Sequence, residues 1–493
     1  MDDIIMNEDI TEEQVPVCED ADPKIRYELA EDGKSYVVVG YKGKPRDLVI
    51  PSFYLGDRVT EIGEGAFENC KELRSVRLPV SVKDIGGDAF SGCTELLSVT
   101  FGKNAPNVGI VSKECDDDAI SDVKLYIGGH AFANCKKLTF LEVPDNVTLG
   151  FEVFEGCSGL NYNAYDNALY LGNAGNPYVL LVKAKNTDIT SCEVASSTKL
   201  IADNAFKECG GLTSVTIPDG VIRIGDGTFD RCWKLTSVTI PNSVTSIGSN
   251  VFHSCTSLTS VTIPNSVTSI GIGAFNNCAS LTSVTIPNSV TFIGAEAFYW
   301  CYSLTSVVIP DTVSSIGSRA FTYCTSLTSV TIPNGVTFIG DNAFRGCTSL
   351  TSVTIPNGVT RIEDFTFEKC TALITIAIPN SVTSIGIEAF CGCTSLTSVT
   401  IPNSVTDMGY HTFEGCTSLT SVTISGKVLH LWGIVKGCSS LREIHYGGTK
   451  AKWKAISKSE DWDKKAGLYT VYCSDGKIKP GLLRRFLSLF RKK

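Results

Sequence analysis

From Gly211 to Cys416 one pattern of apolar and polar positions returns every 23 residues. In the copy Leu258–Cys278, Val261 and Ile263 alternate with the hydroxyls of Ser260 and Thr262. That period of two predicts a short strand with Val and Ile inward and Ser and Thr outward. Pro264-Asn265 ends it, because proline has no N–H for a following ladder and asparagine suits a turn. Val267 and Ile270 return inward, Gly271 permits a tight bend, and Ala274-Phe275 plugs the opposite wall. That wall is expected to be one helical or 3₁₀ turn ending near Cys278. Repeats of this size predict a coil whose turns bury their apolar side only against one another. With strands roughly 4.8 Å apart, about fifteen turns would make a rod on the order of 70 Å along the sheet.

The full frame is Leu-x-x-Val-x-Ile-Pro-x-x-Val-x-x-Ile-Gly-x-x-Ala-Phe-x-x-Cys, and over about residues 50–445 it resembles the BspA-like class of leucine-rich repeats. Tyr27–Phe67 is similar to the hairpin-like leader of bacterial members, and Tyr165–Lys185 to their mid-rod hairpin insertion. Ile444–Cys473 resembles their end-piece. The resemblance implies a leucine-rich-repeat solenoid with a parallel β-sheet on one wall, short 3₁₀ or helical turns on the other, and β caps at both ends. It also implies a non-catalytic protein-binding role, often that of a bacterial surface adhesin.

The expected organisation starts with an acidic disordered tail (1–24) and an N-terminal β cap (25–50). Repeats follow over 51–157, with an insertion at 102–123 that carries Glu114, Asp116, Asp117 and Asp118. Those acids lack the glycine-containing spacing of a calcium loop, so they read as a solvated loop. A β-hairpin insertion (158–195) precedes the regular repeats (196–425). The C-terminal cap (426–475) contains Trp432, Trp453 and Trp462, read as sealing the last layer rather than stacking on a ligand. A basic amphipathic tail (476–493) ends the chain.

Charge narrows the class of partner. The formal net charge is −9, which argues against nucleic acid. Residues 1–23 hold nine acids and no base, whereas Leu235–Gly340 holds only Glu296, Asp311 and Arg319 among its charged groups. Recognition in that stretch must rest on contact and shape. Met1–Asp22 lacks the pattern of a secretory signal and no run of 18 apolar residues occurs, so a cytoplasmic or non-classically exported protein is expected. The family resemblance points instead to the cell surface.

No catalytic motif appears: there is no G-x-S-x-G, P-loop or H-E-x-x-H, and no base recurs beside the repeated serines. Neither a cofactor nor a metal site is expected, because the five histidines are read as unrelated in repeat position and no C-x-x-C occurs. The chain has 20 cysteines, fifteen of which share the repeat position of Cys278. They read as reduced thiols, small buried hydrophobes stacked in a ladder, with redox sensing or bridging as the alternative. The Ser-x-Thr array of 237/239, 260/262 and 283/285 reads as an ordinary exposed sheet face rather than an ice-binding one.

Two candidate contact sites remain. The residues after each Phe vary most, and there Tyr299, Trp300, Tyr302 and Tyr323 gather on adjacent turns, with Phe292 and Phe338 replacing serine elsewhere. Clustered aromatics in a nearly uncharged stretch resemble a binding hot spot for a protein partner, with drift at tolerant positions as the alternative. In the tail, Leu482, Leu483, Phe486, Leu487 and Phe490 would share one helix face, with Arg484 and Arg491 opposite and Arg485 adding to the charge. Such a segment suits an anionic membrane surface, an acidic partner groove or the end cap. Equal liposome flotation with and without residues 481–493 would remove the membrane reading. The leading expectation is a protein-binding rod, with adhesion or host interaction as the role the resemblance implies. The second is an intracellular or membrane-apposed scaffold tethered by this tail.

Overall fold

Valine and isoleucine, whose branched side chains fit a pleated surface, put three-residue strands where each repeat reads Ser-Val-Thr. The computed structural model describes residues 22–102 and 124–479. The N-terminal 1–21, the acidic insertion from 103 to 123 and the tail with Leu482–Arg491 therefore lie outside the described residues. The chain divides into two compact units, one formed by residues up to Ala164 with Leu169–Leu181, the other by Tyr165–Ala168 with Val182 onward.

In the second unit, Ser237–Thr239, Ser260–Thr262, Ser283–Thr285, Ser306–Val308, Ser329–Thr331, Ser352–Thr354 and Thr375–Ala377 form one parallel sheet. Equivalent residues pair, Ser237 with Ser260 and Val238 with Val261. Each central residue is buried between two exposed neighbours. The next strand of this face, Ser398–Thr400, belongs to a separate sheet, so the ladder is interrupted after Ala377.

A second ladder follows the proline turn, where the sequence pattern showed only the inward Val267 and Ile270 and a bend at Gly271. Ser269–Ile270, Phe292–Ile293, Ser315–Ile316 and Phe338–Ile339 form a parallel four-stranded sheet. Glycine after each isoleucine makes it possible, because successive backbones touch there: a Cβ on Gly294 would lie 2.5 Å from the Gly271 carbonyl carbon. Glu363 occupies the same place after Ile362, and this sheet breaks between Ile339 and Arg361.

The third wall is made of turns rather than continuous helix. Ala297, Tyr299 and Cys301 donate backbone bonds to residues three earlier, the pattern of a 3₁₀ helix. The alternate residues instead donate to the next turn, Glu296 to Ser318 at 2.9 Å, Phe298 to Ala320 at 2.8 Å and Trp300 to Thr322 at 2.9 Å. Left-handed backbone at Glu296 (φ 58°) and Trp300 (φ 60°) brackets the phenylalanine and stops helical propagation. The one α-helix among the described residues is Lys450–Ala455.

Inside, the phenylalanines from Phe206 to Phe413 stack with centroids 5.2–5.6 Å apart. Beside them the repeat cysteines from Cys232 to Cys438 donate their thiols to the carbonyl of the phenylalanine one turn back, as Cys278 does to Phe252 at 3.1 Å, whereas Cys209 reaches the Asn186 carbonyl at 3.9 Å. Burial raises these thiols, Cys301 and Cys347 to about 12. The cysteines described are free thiols, mostly buried, in accord with a ladder of small hydrophobes.

The first unit repeats this plan. Ser35–Tyr41 pairs antiparallel with Ile25–Leu29 on one side and parallel with Asp57–Ile62 on the other, so a hairpin covers the first layer. At the C-terminal end Trp453 is buried against Tyr446 (5.2 Å) and Trp462 (5.8 Å), and Trp462 continues to Tyr469 (6.0 Å). Trp432 does not join this seal. It stacks between Tyr410 at 4.6 Å and His430 at 4.4 Å, and among the described residues no ring contact joins it to the Trp453 cluster.

Candidate contact surface on the turn wall

Each turn from Gly65–Asn69 to Gly433–Gly437 carries two left-handed residues, two before and two after the buried phenylalanine or its equivalent. Glycine and asparagine suit that backbone best, and they fill the second position at Asn69, Gly92, Asn134, Asn277, Gly346 and Gly415. Trp300 and Tyr323 occupy the same position with φ of 60° and 59°. Bulky side chains there cost on the order of 1–2 kcal/mol.

The structure joins three of the six aromatic candidates. Tyr299 lies 4.6 Å from Trp300 and 6.3 Å, edge-on, from Tyr323. Trp300 is 39% exposed. The Tyr323 ring lies over Gly346, where any Cβ would collide with it. Tyr302 is also exposed, but no ring of the trio contacts it among the described residues. Phe292 and Phe338 stand on the second sheet with Ser315 between them in register, so they form no patch with the trio.

Charges rim this trio. Arg319 binds Glu296 at 3.1 Å on one side. On the other, the buried Glu368 carboxylate takes Arg345 at 2.7 Å and Lys369 at 2.8 Å. Partial burial, with Tyr323 and Glu296 nearby, raises the Tyr299 hydroxyl, which stays protonated at neutral pH. An aromatic centre with a polar rim is the anatomy of an interface hot spot.

Two arrangements escaped the sequence. Tyr410 and Trp432 hold equivalent places, but the last turn is one residue short between Cys416 and Cys438, which hides the match. His130 and His411 share a repeat position, two before Phe132 and Phe413, contrary to the expectation that the histidines are unrelated. In the first unit, His130, Glu152 and Glu155 bring one ligand atom each to within 4.8 Å of one another. The repeat frame already held this signal, since His130 and Glu152 each stand five residues before their cysteines, Cys135 and Cys157.

One serine does stand beside a base. His253 Nδ1 lies 2.6 Å from Asp230, and its Nε2 lies 3.5 Å from Ser254 Oγ. That hydroxyl already accepts the Asn277 amide at 3.1 Å, so the hydroxyl and the ring are joined only loosely.

No helix of the described residues is long and apolar enough to cross a membrane. A family model for the BspA type leucine rich repeat region matches in six copies, over residues 47–161, 184–305, 291–420 and 372–453. No curated protein sequence matches the chain. Among solved structures, a leucine-rich repeat protein from Bacteroides ovatus is 24% identical, covering 90% of this chain and 98% of that one, with a TM-score of 0.44. A leucine rich cell surface protein from Faecalibacterium prausnitzii is 25% identical over 88% and 96% of the two chains, with a TM-score of 0.36. The pneumococcal vaccine antigen PcpA is 18% identical over 92% and 93%, with a TM-score of 0.35.

Proposed function

We infer that this chain, which belongs to the BspA-type leucine-rich repeat family, binds a protein partner without catalysis through the Tyr299–Trp300–Tyr323 surface. The observation that carries the reading is the placement of Trp300 and Tyr323 at left-handed positions where the fold favours glycine or asparagine. Strain of that kind persists where something besides stability keeps it. The partner this surface fits is a folded protein that presents an apolar side chain to the aromatic centre and charges to the rim. Family membership suggests adhesion to a host or a neighbouring cell as the setting.

Asparagine tests the reading, because it keeps the left-handed backbone while removing the ring. Trp300→Asn with Tyr323→Asn should lower capture of the partner from cell-surface protein extracts by more than about tenfold, as expected for truncating hot-spot aromatics. Capture equal to that of the native chain would end this reading.

A further inference from the structure

Four of the five histidines lie within 4 Å of a carboxylate, and one of these pairs differs from the rest. His253 reaches Asp230 at 2.6 Å, His411 reaches Glu414 at 2.6 Å and His445 reaches Glu443 at 3.0 Å. His130 Nδ1 stands 3.6 Å from Glu155 Oε2, too far for a hydrogen bond. A second carboxylate, Glu152, completes a cluster in which all three ligand atoms lie within 4.8 Å of one another.

Backbone bonds hold the three residues in place. His130 N–H donates to Phe151 at 2.9 Å, Glu155 N–H to Glu152 at 3.1 Å, and Asn134 N–H to Glu155 at 2.6 Å. The imidazole meets Phe151 edge-on at 5.6 Å, which limits its rotation. Two successive turns thus present one nitrogen and two carboxylate oxygens to a common point. The Phe132–Phe154 step between these turns is 6.2 Å, against 5.3 and 5.4 Å for the two steps before it. The cluster therefore spans the loosest part of this ring stack.

We propose that His130, Glu152 and Glu155 form a binding site for a first-row divalent cation such as zinc, which clips these two turns together. One imidazole and two carboxylates match the borderline donor set of such ions. Bonds of about 2.0–2.2 Å bring donors roughly 3.4 Å apart, so each side chain moves inward by about 1 Å on binding. Calcium, which takes 6–8 oxygen ligands, is not matched by so few oxygens. Water fills the remaining coordination positions, since the site lies at the surface.

The test is titration of the full chain, kept reduced with a non-chelating phosphine, with zinc followed by calorimetry and with cobalt followed by visible absorption. One saturable site is expected at the His130 cluster, together with a rise in the melting temperature of the first unit. His130→Asn keeps the left-handed backbone, as Asn204, Asn250 and Asn342 do at the same position. That variant and Glu155→Gln should each weaken binding at least about tenfold and abolish the thermal shift. His411→Asn, at the equivalent turn position of the second unit, should leave both unchanged. Absence of binding up to about 1 mM zinc, or native affinity in His130→Asn and Glu155→Gln, would overturn the proposal.

Discussion

On the first sheet of the second unit the outward positions repeat as Ser237/Thr239, Ser260/Thr262 and Ser283/Thr285. On the turn wall of the same repeats, the residues after each phenylalanine read Lys-Glu, Asp-Arg, His-Ser, Asn-Asn, Tyr-Trp and Thr-Tyr. Hydrogen bonding separates the two walls. Beside the strands, the threonine hydroxyls join the ladder: Thr259 donates to Thr236 at 3.3 Å, Thr282 to Thr259 at 3.3 Å and Thr305 to Thr282 at 3.2 Å. On the turn wall the main chain links one turn to the next through residues such as Glu296, Phe298 and Trp300, and the side-chain links beside it, Asn277 to Ser254 or Arg319 to Glu296, change from turn to turn. No single side-chain link is repeated along that wall, so its outward residues can differ from turn to turn, and recognition can vary with them.

Alkali should break the contrast most severely, because it attacks the interior shared by both walls. Burial raises Cys301 and Cys347 to about 12, and Cys278, Cys324 and Cys370 well above their ordinary value. An unfolded thiol loses its proton near pH 8.5, whereas the folded one keeps it. Stability is then full below about pH 8.5 and falls above it, by up to about 1.4 kcal/mol per pH unit for each thiol, until the folded value is reached. With this many thiols in the ladder, circular dichroism should show cooperative unfolding by about pH 10 under reducing conditions. A native spectrum at pH 11 would refute the thiol argument.

Within the turn wall, neighbouring residues should differ sharply. Phe298→Ala removes a fully buried ring between Phe275 and Phe321 and should cost about 3–5 kcal/mol in urea unfolding. Tyr299→Ala, one residue on, should cost less than about 1 kcal/mol. Similar losses at both positions would mean that the wall is packed throughout and leaves no side chain for a partner.

The smallest effect sharpens the comparison. Trp300→Asn exchanges a strained aromatic for a residue that accepts left-handed backbone, so the melting temperature should hold or rise by a few degrees. A marked fall would show that the ring serves the fold rather than a partner.

The strand, the buried phenylalanine and the thiol were legible because their side chains recur at a fixed spacing. The second sheet was not, since Ser269–Ile270 is too short to display a period of two. The left-handed pair around each phenylalanine was hidden as well. Its first position holds Asp88, His130, Glu152, Asn204, Gly227 and Arg319, residues that share a backbone shape and no chemistry. Tyr299 and Trp300 became candidates because adjacent aromatics are conspicuous in sequence. The sequence grouped Phe292 with them, but it stands on another wall.

Both faces break together between the turns of Phe229 and Phe252, but further along the interruptions fall on different turns, after Ala377 in one sheet and after Ile339 in the other. Across both, the turn wall keeps its main-chain bonds, from Phe344 to Thr366 at 2.9 Å and from Phe390 to Thr412 at 2.9 Å. Like staggered joints in brickwork, these two later gaps do not line up, and the third course runs across each. A pull along this stack would therefore meet intact mortar on at least one course at either gap, and a tear begun at Glu363 would have no straight path to follow.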